Sequence, residues 1–274
     1  MKIICDKFTT KVHRYKEDNI VLKDNFLYSV INGLPFLYPK EKNLNMTTRF
    51  VNDVKNALNN YDGKQRLAHY LYNLSTDEYN KFNVLKDYDN SYYPACGLAI
   101  VYFEDDFAEL YTLGDCYIIY ETKDNKKYMM YSQEVVEVNS SLLNDAVEYS
   151  SSKKCSLRKS INKLHEKIIE LRKGLNSNNG SSTYTISKVP QFKFSHQKVK
   201  IDNLKEVLLF SDGFAQSFQI LSLFENCEDL LKDNINITDL GNQILKTWES
   251  DRRLKKFPRL SYKEDITVIK LLFE

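Results

Sequence analysis

The chain has 274 residues, 28% of them charged, with 39 basic against 37 acidic side chains and a formal net charge of +2. So even a balance excludes a general nucleic-acid-coating surface, which would need a clustered basic excess. No apolar run reaches the roughly 18 residues that a membrane span requires, and the opening "MKIICDKFTTK" has too short an apolar core for a signal peptide.

The five cysteines, Cys5, Cys96, Cys116, Cys155 and Cys227, are odd in number and scattered. They show no CxxC spacing, which argues against zinc and for free thiols in a reducing compartment. The expectation is a soluble, cytoplasmic protein.

In chain order, "NIVLKD" and "NFLYSVI" read as two extended segments joined at Asp24-Asn25, with Phe26, Tyr28 and Val30 on one face. The second ends in Asn32-Gly33, which by itself is a hairpin-turn signal. Residues 47–61 carry Phe50, Val51, Val54, Ala57 and Leu58 at helical spacing, and 65–74 carry Leu67, Tyr70, Leu71 and Leu74. Ser75-Thr76-Asp77 is expected to end that helix or to cap the next. Then "GLAIVYF", "AELYTLG", "CYIIYE" and "KYMMYS" alternate with polar turns, the pattern of an antiparallel meander. From 140 to 175 the period turns helical, with Ile161, Leu164, Ile168 and Leu171 on one face. "LNSNNGSSTY" reads as a loop or hairpin. "EVLLFSDG" is a buried strand entering a glycine turn, helical segments follow to about residue 250, and "DITVIKLLFE" closes the chain as a β-branched strand. Strands are thus expected over 20–31, 97–131, 205–211 and 265–273, within one domain spanning 1–274.

Acids stand at the ends of these strands. Asp212 follows "VLLF", Glu264 and Asp265 precede "ITVIKLLF", Glu17 and Asp18 precede "NIVL", and Asp115 sits in "TLGDCYIIY". A carboxylate at the end of a buried strand is held rigidly, as a metal site requires, and an oxygen-rich set suits Mg²⁺ or Mn²⁺. Any one of them alone is more simply a solvated turn residue.

Their order, however, resembles the metal-dependent type 2C (PPM) protein phosphatases. The stretches that carry the resemblance are "KEDN" (16–19), "VING" (30–33), "LGDC" (113–116), "FSDGF" (210–214) and "EDIT" (264–267), and the small bacterial branch is the most similar. The resemblance implies an α+β fold, an αββα sandwich of two antiparallel sheets flanked by helices. It implies hydrolysis of phosphoserine or phosphothreonine in a protein substrate, opposed by a cognate kinase, using water activated by two Mg²⁺ or Mn²⁺ ions without a phosphoenzyme.

Carried over position by position, the metal ligands would be Asp18, Asn32, the Gly33 carbonyl, Asp212 and the Glu264/Asp265 pair, with Asp115 at a third, weaker ion. Asp18 and Asp212 would serve catalysis, and Arg14 would bind phosphate, one residue later than the family arginine, whose place His13 holds. Three departures stand out. Asn32 replaces the aspartate that bridges both ions, so the cluster loses a charge and a ligand oxygen. Leu34-Pro35-Phe36 replaces a glycine-rich wall, and Glu264 replaces an aspartate. Cys116, where the family has serine, is flanked by "YIIY" and reads as strand packing. These departures leave two functions open, a weakened phosphatase and a non-catalytic module that binds a phosphoprotein or kinase. An introduced Asp-to-Asn change would leave the same pattern.

Overall fold

A computed structural model describes residues 2–11, 17–34, 46–82, 88–177, 180–232 and 235–274. Its strands form two antiparallel sheets. The first has the order β1 (Ile3–Thr9), β11 (Thr267–Phe273), β10 (Leu204–Ser211), β6 (Cys116–Thr122) and β7 (Lys127–Met130). The second runs β2 (Asp18–Lys23), β3 (Leu27–Gly33), β4 (Ala95–Glu104), β5 (Phe107–Leu113) and β9 (Ser195–Lys200), and the short β8 (Tyr184–Thr185) pairs with β4. The two ends of the chain meet in the first sheet, where Ile3 pairs with Phe273 and Thr9 with Thr267.

Side-chain alternation decides which layer each strand feeds. Tyr28 and Val30 of β3, Ala99 and Val101 of β4, Ile118 of β6, Val207 and Leu209 of β10, and Ile269 and Leu271 of β11 all point between the sheets and form the central core. The opposite parity covers the outer faces. Leu27, Ile31, Leu98 and Ile100 pack against α1 (Met46–Asn60) and α2 (Leu67–Lys81) through Phe50, Val54, Leu58 and Leu71. Ile119, Leu208, Phe210 and Val268 pack against α6 (Asp212–Gln219) and α7 (Ile237–Ser250) through Phe214, Ile244 and Trp248. The layers are therefore helix, sheet, sheet, helix, the expected αββα sandwich. Strands covered on both faces lose the apolar-polar alternation, and every residue of β3 and β6 is buried.

The structure differs from the sequence reading in several places. Asn32-Gly33 makes no hairpin turn: both residues stay in β3, opposite Gly97 and Cys96. Ser75-Thr76-Asp77 lies inside α2, because the Ser75 hydroxyl donates to the Thr185 carbonyl at 2.7 Å and Thr76 back-bonds to the Tyr72 carbonyl, which satisfies both hydroxyls without breaking the helix. The single helical period of 140–175 resolves into α3 (Gln133–Ser152), α4 (Leu157–Ile161), a 3₁₀ turn and α5 (His165–Lys173). β1 and β9 are additional strands. Both are edge strands with mostly exposed side chains, and they are held by backbone ladders that hydropathy does not report. Among the described residues, no helix is long and apolar enough to cross a membrane.

Candidate active site

The inter-sheet layer is apolar along most of its length and turns polar at one end. Each strand that contributes an apolar residue to the central core offers a polar or small one at the next same-face position. Val30 of β3 is followed by Asn32, Ile20 of β2 is preceded by Asp18, Leu209 of β10 is followed by Ser211, and Ile269 of β11 is preceded by Thr267. β4 places Gly97 there, and β6 places Cys116. Register brings these ends level: Asp18 lies opposite Asn32, Asn32 opposite Gly97, and Ser211 opposite Cys116. Asp18, Asn32, Ser211, Thr267 and the adjoining Asp265 are all buried.

Four links close this end of the sandwich. Asn32 Nδ2 donates to Asp212 Oδ1 at 2.9 Å, joining the C-terminal end of β3 to the first residue of α6. The backbone N–H groups of Glu17 and Asp18 donate to Asp265 Oδ2 at 3.0 and 3.5 Å, so the last acidic motif fixes the first. Thr267 N donates to Ser211 Oγ at 3.1 Å. At Gly97, an added Cβ would lie 2.3 Å from Asp115 Oδ1, so the missing side chain is what lets the Asp115 carboxylate enter. Gly213 is equally tight, since a Cβ there would lie 2.2 Å from the Asp265 carbonyl oxygen and 3.2 Å from Glu264 Cβ.

The electrostatics are those of acids crowded in a poorly hydrated space. Burial first, then the charges of Asp265 and Asp115, hold the Asp18 carboxyl well above the usual carboxylate range, against the hydrogen bonds from Thr267 and Ser211. Asp212 is raised in the same direction by burial and by Asp115, Glu264 and Asp18. Asp115 is pushed up to about 7, chiefly by burial with help from Glu264, while the Asn32 hydrogen bond and the positive charge of Arg172 oppose the shift. Asp18 Oδ2 and Asp115 Oδ1 are buried and accept no hydrogen bond.

Asp18, Asn32, Asp115, Asp212, Glu264 and Asp265 are thus brought to one end of the sandwich. Asp18, Asn32 and Asp265 form its buried floor, and Asp115, Asp212 and Glu264 are partly exposed at its rim. Gly33 is there too: its N–H donates to the Glu17 carbonyl at 3.1 Å, and a Cβ would lie 2.7 Å from that oxygen. Cys116 packs in the central core, with its thiol pushed up by burial, which makes it a poor nucleophile. His13, Arg14, Pro35 and Phe36 lie outside the described residues. Ser211, Thr267, Gly97 and Arg172 escaped the sequence reading. The first three share the strand parity of Asn32, Asp18 and Cys116, and that is the signal that could have found them.

Asparagine, carboxylate and hydroxyl oxygens are hard donors, and two buried carboxylate oxygens without a partner mark a deficit of positive charge, so the residues fit a Mg²⁺ or Mn²⁺ ion in chemistry. Among the described residues, no three His, Cys, Asp or Glu side chains already close on one point as a metal cage. Mg²⁺ does not require one, since it keeps several waters and is commonly held by one or two carboxylates.

A scan of the sequence against protein-family models and a search of the curated proteins each give no match. Solved structures do match over the whole chain. The serine/threonine phosphatase of Staphylococcus aureus aligns with 100% of this chain and 96% of its own at 14% identity and a TM-score of 0.54. The S. agalactiae serine/threonine phosphatase covers 100% of both chains at 11% identity and a TM-score of 0.56. RsbX, solved in complex with magnesium, covers 99% of this chain and 96% of its own at 11% identity and a TM-score of 0.53. The two sheets, their flanking helices and the acidic strand ends between them make this chain's fold that of the bacterial type 2C (PPM) phosphatases.

Proposed function

We propose that residues 1–274 form one phosphatase domain that hydrolyses phosphoserine or phosphothreonine in a cytoplasmic protein substrate, using Mg²⁺ or Mn²⁺, and that a cognate kinase opposes it. The observation that carries this reading is the pair of buried, unpartnered carboxylate oxygens, Asp18 Oδ2 and Asp115 Oδ1, in the same acidic cluster as Asn32. Its support from other proteins is that solved chains of the same fold are serine/threonine phosphatases and that one of them, RsbX, was solved with magnesium.

Asp18, Asp115, Asp212 and Asp265 would hold the ions, with Glu264 and the Asn32 and Gly33 carbonyls as further oxygen donors. A bound divalent ion supplies Lewis-acid polarisation of the phosphoryl group and of the attacking water. The chain's own contribution is placement. Asp265 accepts the backbone N–H groups of Glu17 and Asp18 and so locks the start of β2. Asn32 holds Asp212 at the first residue of α6, where the positive end of the helix favours an anion. Asp115 and Asp212 lie on the accessible side, facing an incoming phosphoryl group, while the apolar core beneath them keeps water from the floor. Arg14 would bind the phosphate, a role that suits its forked donors.

Hydrolysis of a phosphothreonine peptide tests the reading, with Mn²⁺ and with EDTA, on the chain as it stands beside Asn32→Asp. Mn²⁺-dependent release of phosphate by either form supports it. A second reading rests on the amide at position 32, which puts N–H donors where a bridging carboxylate would be expected. If both forms are inert while both bind the phosphopeptide, the chain is a non-catalytic phosphoprotein-binding or kinase-binding module.

A further inference from the structure

β5 ends and β9 begins beside the turn that carries Asp115, and a cleft of about 310 Å³ opens there against the start of α3. Thr112 of β5 and Ser195 of β9 are cross-strand partners, and both line it. Ser182 ties the cleft to the acidic cluster. Its carbonyl accepts Gly114 N at 3.1 Å, and its hydroxyl accepts Lys193 N at 2.7 Å. Gly114 directly precedes Asp115, so cleft and cluster flank one turn.

The cleft is rich in unspent donors. Thr112 is 1% exposed, and its Oγ1 is buried in the cleft wall without a hydrogen-bond partner. A buried hydroxyl left in that state costs stability until a ligand completes it. Ser132 stands at the N-cap of α3 but gives no side-chain cap, and its hydroxyl donates instead to Glu134 Oε2 at 3.1 Å. The first N–H groups of this 20-residue helix therefore lack the acceptor that an N-cap supplies, at the end where the helix dipole favours an anion. Asn176 spends its Oδ1 on Thr183 N at 2.9 Å and on the Ser182 hydroxyl at 3.4 Å, which leaves its Nδ2 to donate. The charged side chains of the lining are Glu134, which already holds the Ser132 hydroxyl, and Lys193, which is exposed and makes no ion pair among the described residues.

Donors that outnumber acceptors around one space specify an anionic ligand. Distance identifies whose anion it is. Thr112 lies three positions before Asp115, roughly 10 Å of extended chain, and an extended peptide with its phosphoryl group at the acidic cluster covers that distance in about three residues.

We propose that the cleft is a second recognition site for the phosphoprotein substrate, in which Thr112, Lys193 and the start of α3 receive an acidic side chain about three residues from the phosphorylated one. This rests on the reading of the acidic cluster as the place where the phosphoryl group sits.

The test measures binding of labelled phosphothreonine peptides to the full chain in Mn²⁺ by fluorescence anisotropy. The peptides carry one glutamate, or glutamine in its place, about two to four residues to either side of the phosphothreonine. On one side glutamate is expected to tighten binding about tenfold over glutamine, the scale of one hydrogen-bonded charged group. Lys193→Gln and Thr112→Val should each lose most of that preference while binding the glutamine peptides as the wild type does, and Lys193→Arg should keep it. Without peptide, Thr112→Val should melt no lower than the wild type, since the hydroxyl it removes has no partner there.

Equal binding of glutamate and glutamine peptides at every position overturns the proposal, as does a preference that survives in both Lys193→Gln and Thr112→Val. Should Thr112→Val not fold, Lys193→Gln decides alone, its loss of the preference supporting the proposal and its retention overturning it. Titration calorimetry with inorganic phosphate separates a free anion from a substrate side chain. Phosphate binding that Lys193→Gln abolishes, with no preference for glutamate, makes the cleft a free-anion site and overturns the proposal. Phosphopeptide binding or Mn²⁺-dependent hydrolysis without that preference sinks this proposal and leaves the phosphoprotein reading standing. If neither the chain nor Asn32→Asp binds or hydrolyses any of the peptides, both fall.

Discussion

Asn32 and Asp212 are 180 positions apart in the chain and meet through a 2.9 Å hydrogen bond from Nδ2 to Oδ1. The bond ties the second sheet to α6, which opens directly from the first sheet, and it puts a donor where a carboxylate would repel. Replacing Asn32 with aspartate adds a negative charge beside acids already raised by burial and by one another.

Asn32→Asp is therefore expected to lower the melting temperature in EDTA and to tighten Mn²⁺ binding, because the added carboxylate is tolerated only beside a cation. It should also raise phosphothreonine-peptide hydrolysis. In that background Asp212→Asn should remove the gain in both, since the two residues serve one cluster. Differential scanning calorimetry, Mn²⁺ titration and a phosphate-release assay follow the three effects separately.

Gly213→Ala is expected to cost about 1–3 kcal/mol of stability, the usual range for overpacking. The clash is with the Asp265 backbone carbonyl at 2.2 Å, which cannot swing aside as a flexible side chain could. Relief requires α6 and the segment before β11 to separate, which draws Asp212 away from Asp265. Chemical denaturation measures the stability loss, and Mn²⁺ affinity should fall with it.

Asp251 and Arg259 form a buried pair with Oδ2 to Nη1 at 3.1 Å, and Asp251 also accepts the backbone N–H groups of Lys255, Lys256 and Phe257. Burial raises the Asp251 carboxyl, but these hydrogen bonds outweigh it and leave it below the usual range. A lowered folded value means that the stabilisation is fully present above the unfolded carboxylate pKa of about 3.9 and is lost as pH falls through the lower folded value. Asp251→Ala should cost about 3–5 kcal/mol near neutral pH by leaving the guanidinium buried without its partner. The difference from wild type should shrink below about pH 4, which urea titrations across pH 2–7 would detect.

Trp248 Nε1 donates to Gln216 Oε1 at 2.9 Å, and both groups are buried where α7 packs on α6. Trp248→Ala should cost about 3–5 kcal/mol. Trp248→Phe should cost less, since it keeps most of the apolar volume but leaves the Gln216 carbonyl without this donor. Both are stability effects at the helix that begins with Asp212. Metal affinity measured well below the melting temperature should move little for Trp248→Phe.

The helical periods of α1 and α2, the apolar runs of β4, β6, β10 and β11, and the acids that end them could all be read from sequence, because burial on a fixed period leaves its mark on local composition. The order of the acidic motifs carried the resemblance to the type 2C phosphatases, and that resemblance implied the sandwich. Edge strands β1 and β9 were not legible, since backbone pairing holds them with little buried side-chain area to imprint a pattern. Nor was the continuation of α2 through Ser75, which depends on the Thr185 carbonyl, 110 positions away in the chain.

At the site, sequence alone determined which acids stand at strand ends and that position 32 holds an amide. Only the tertiary structure decided that Asn32 acts as a donor to Asp212, that Asp265 caps the backbone of Glu17 and Asp18, and that the absent side chain of Gly97 admits the Asp115 carboxylate. The reason is physical. Local sequence fixes which way a side chain points from its own strand. The partner it meets is set by register between strands and by the packing of sheets and loops far apart in the chain, and a buried charge takes its protonation state and its role from those partners.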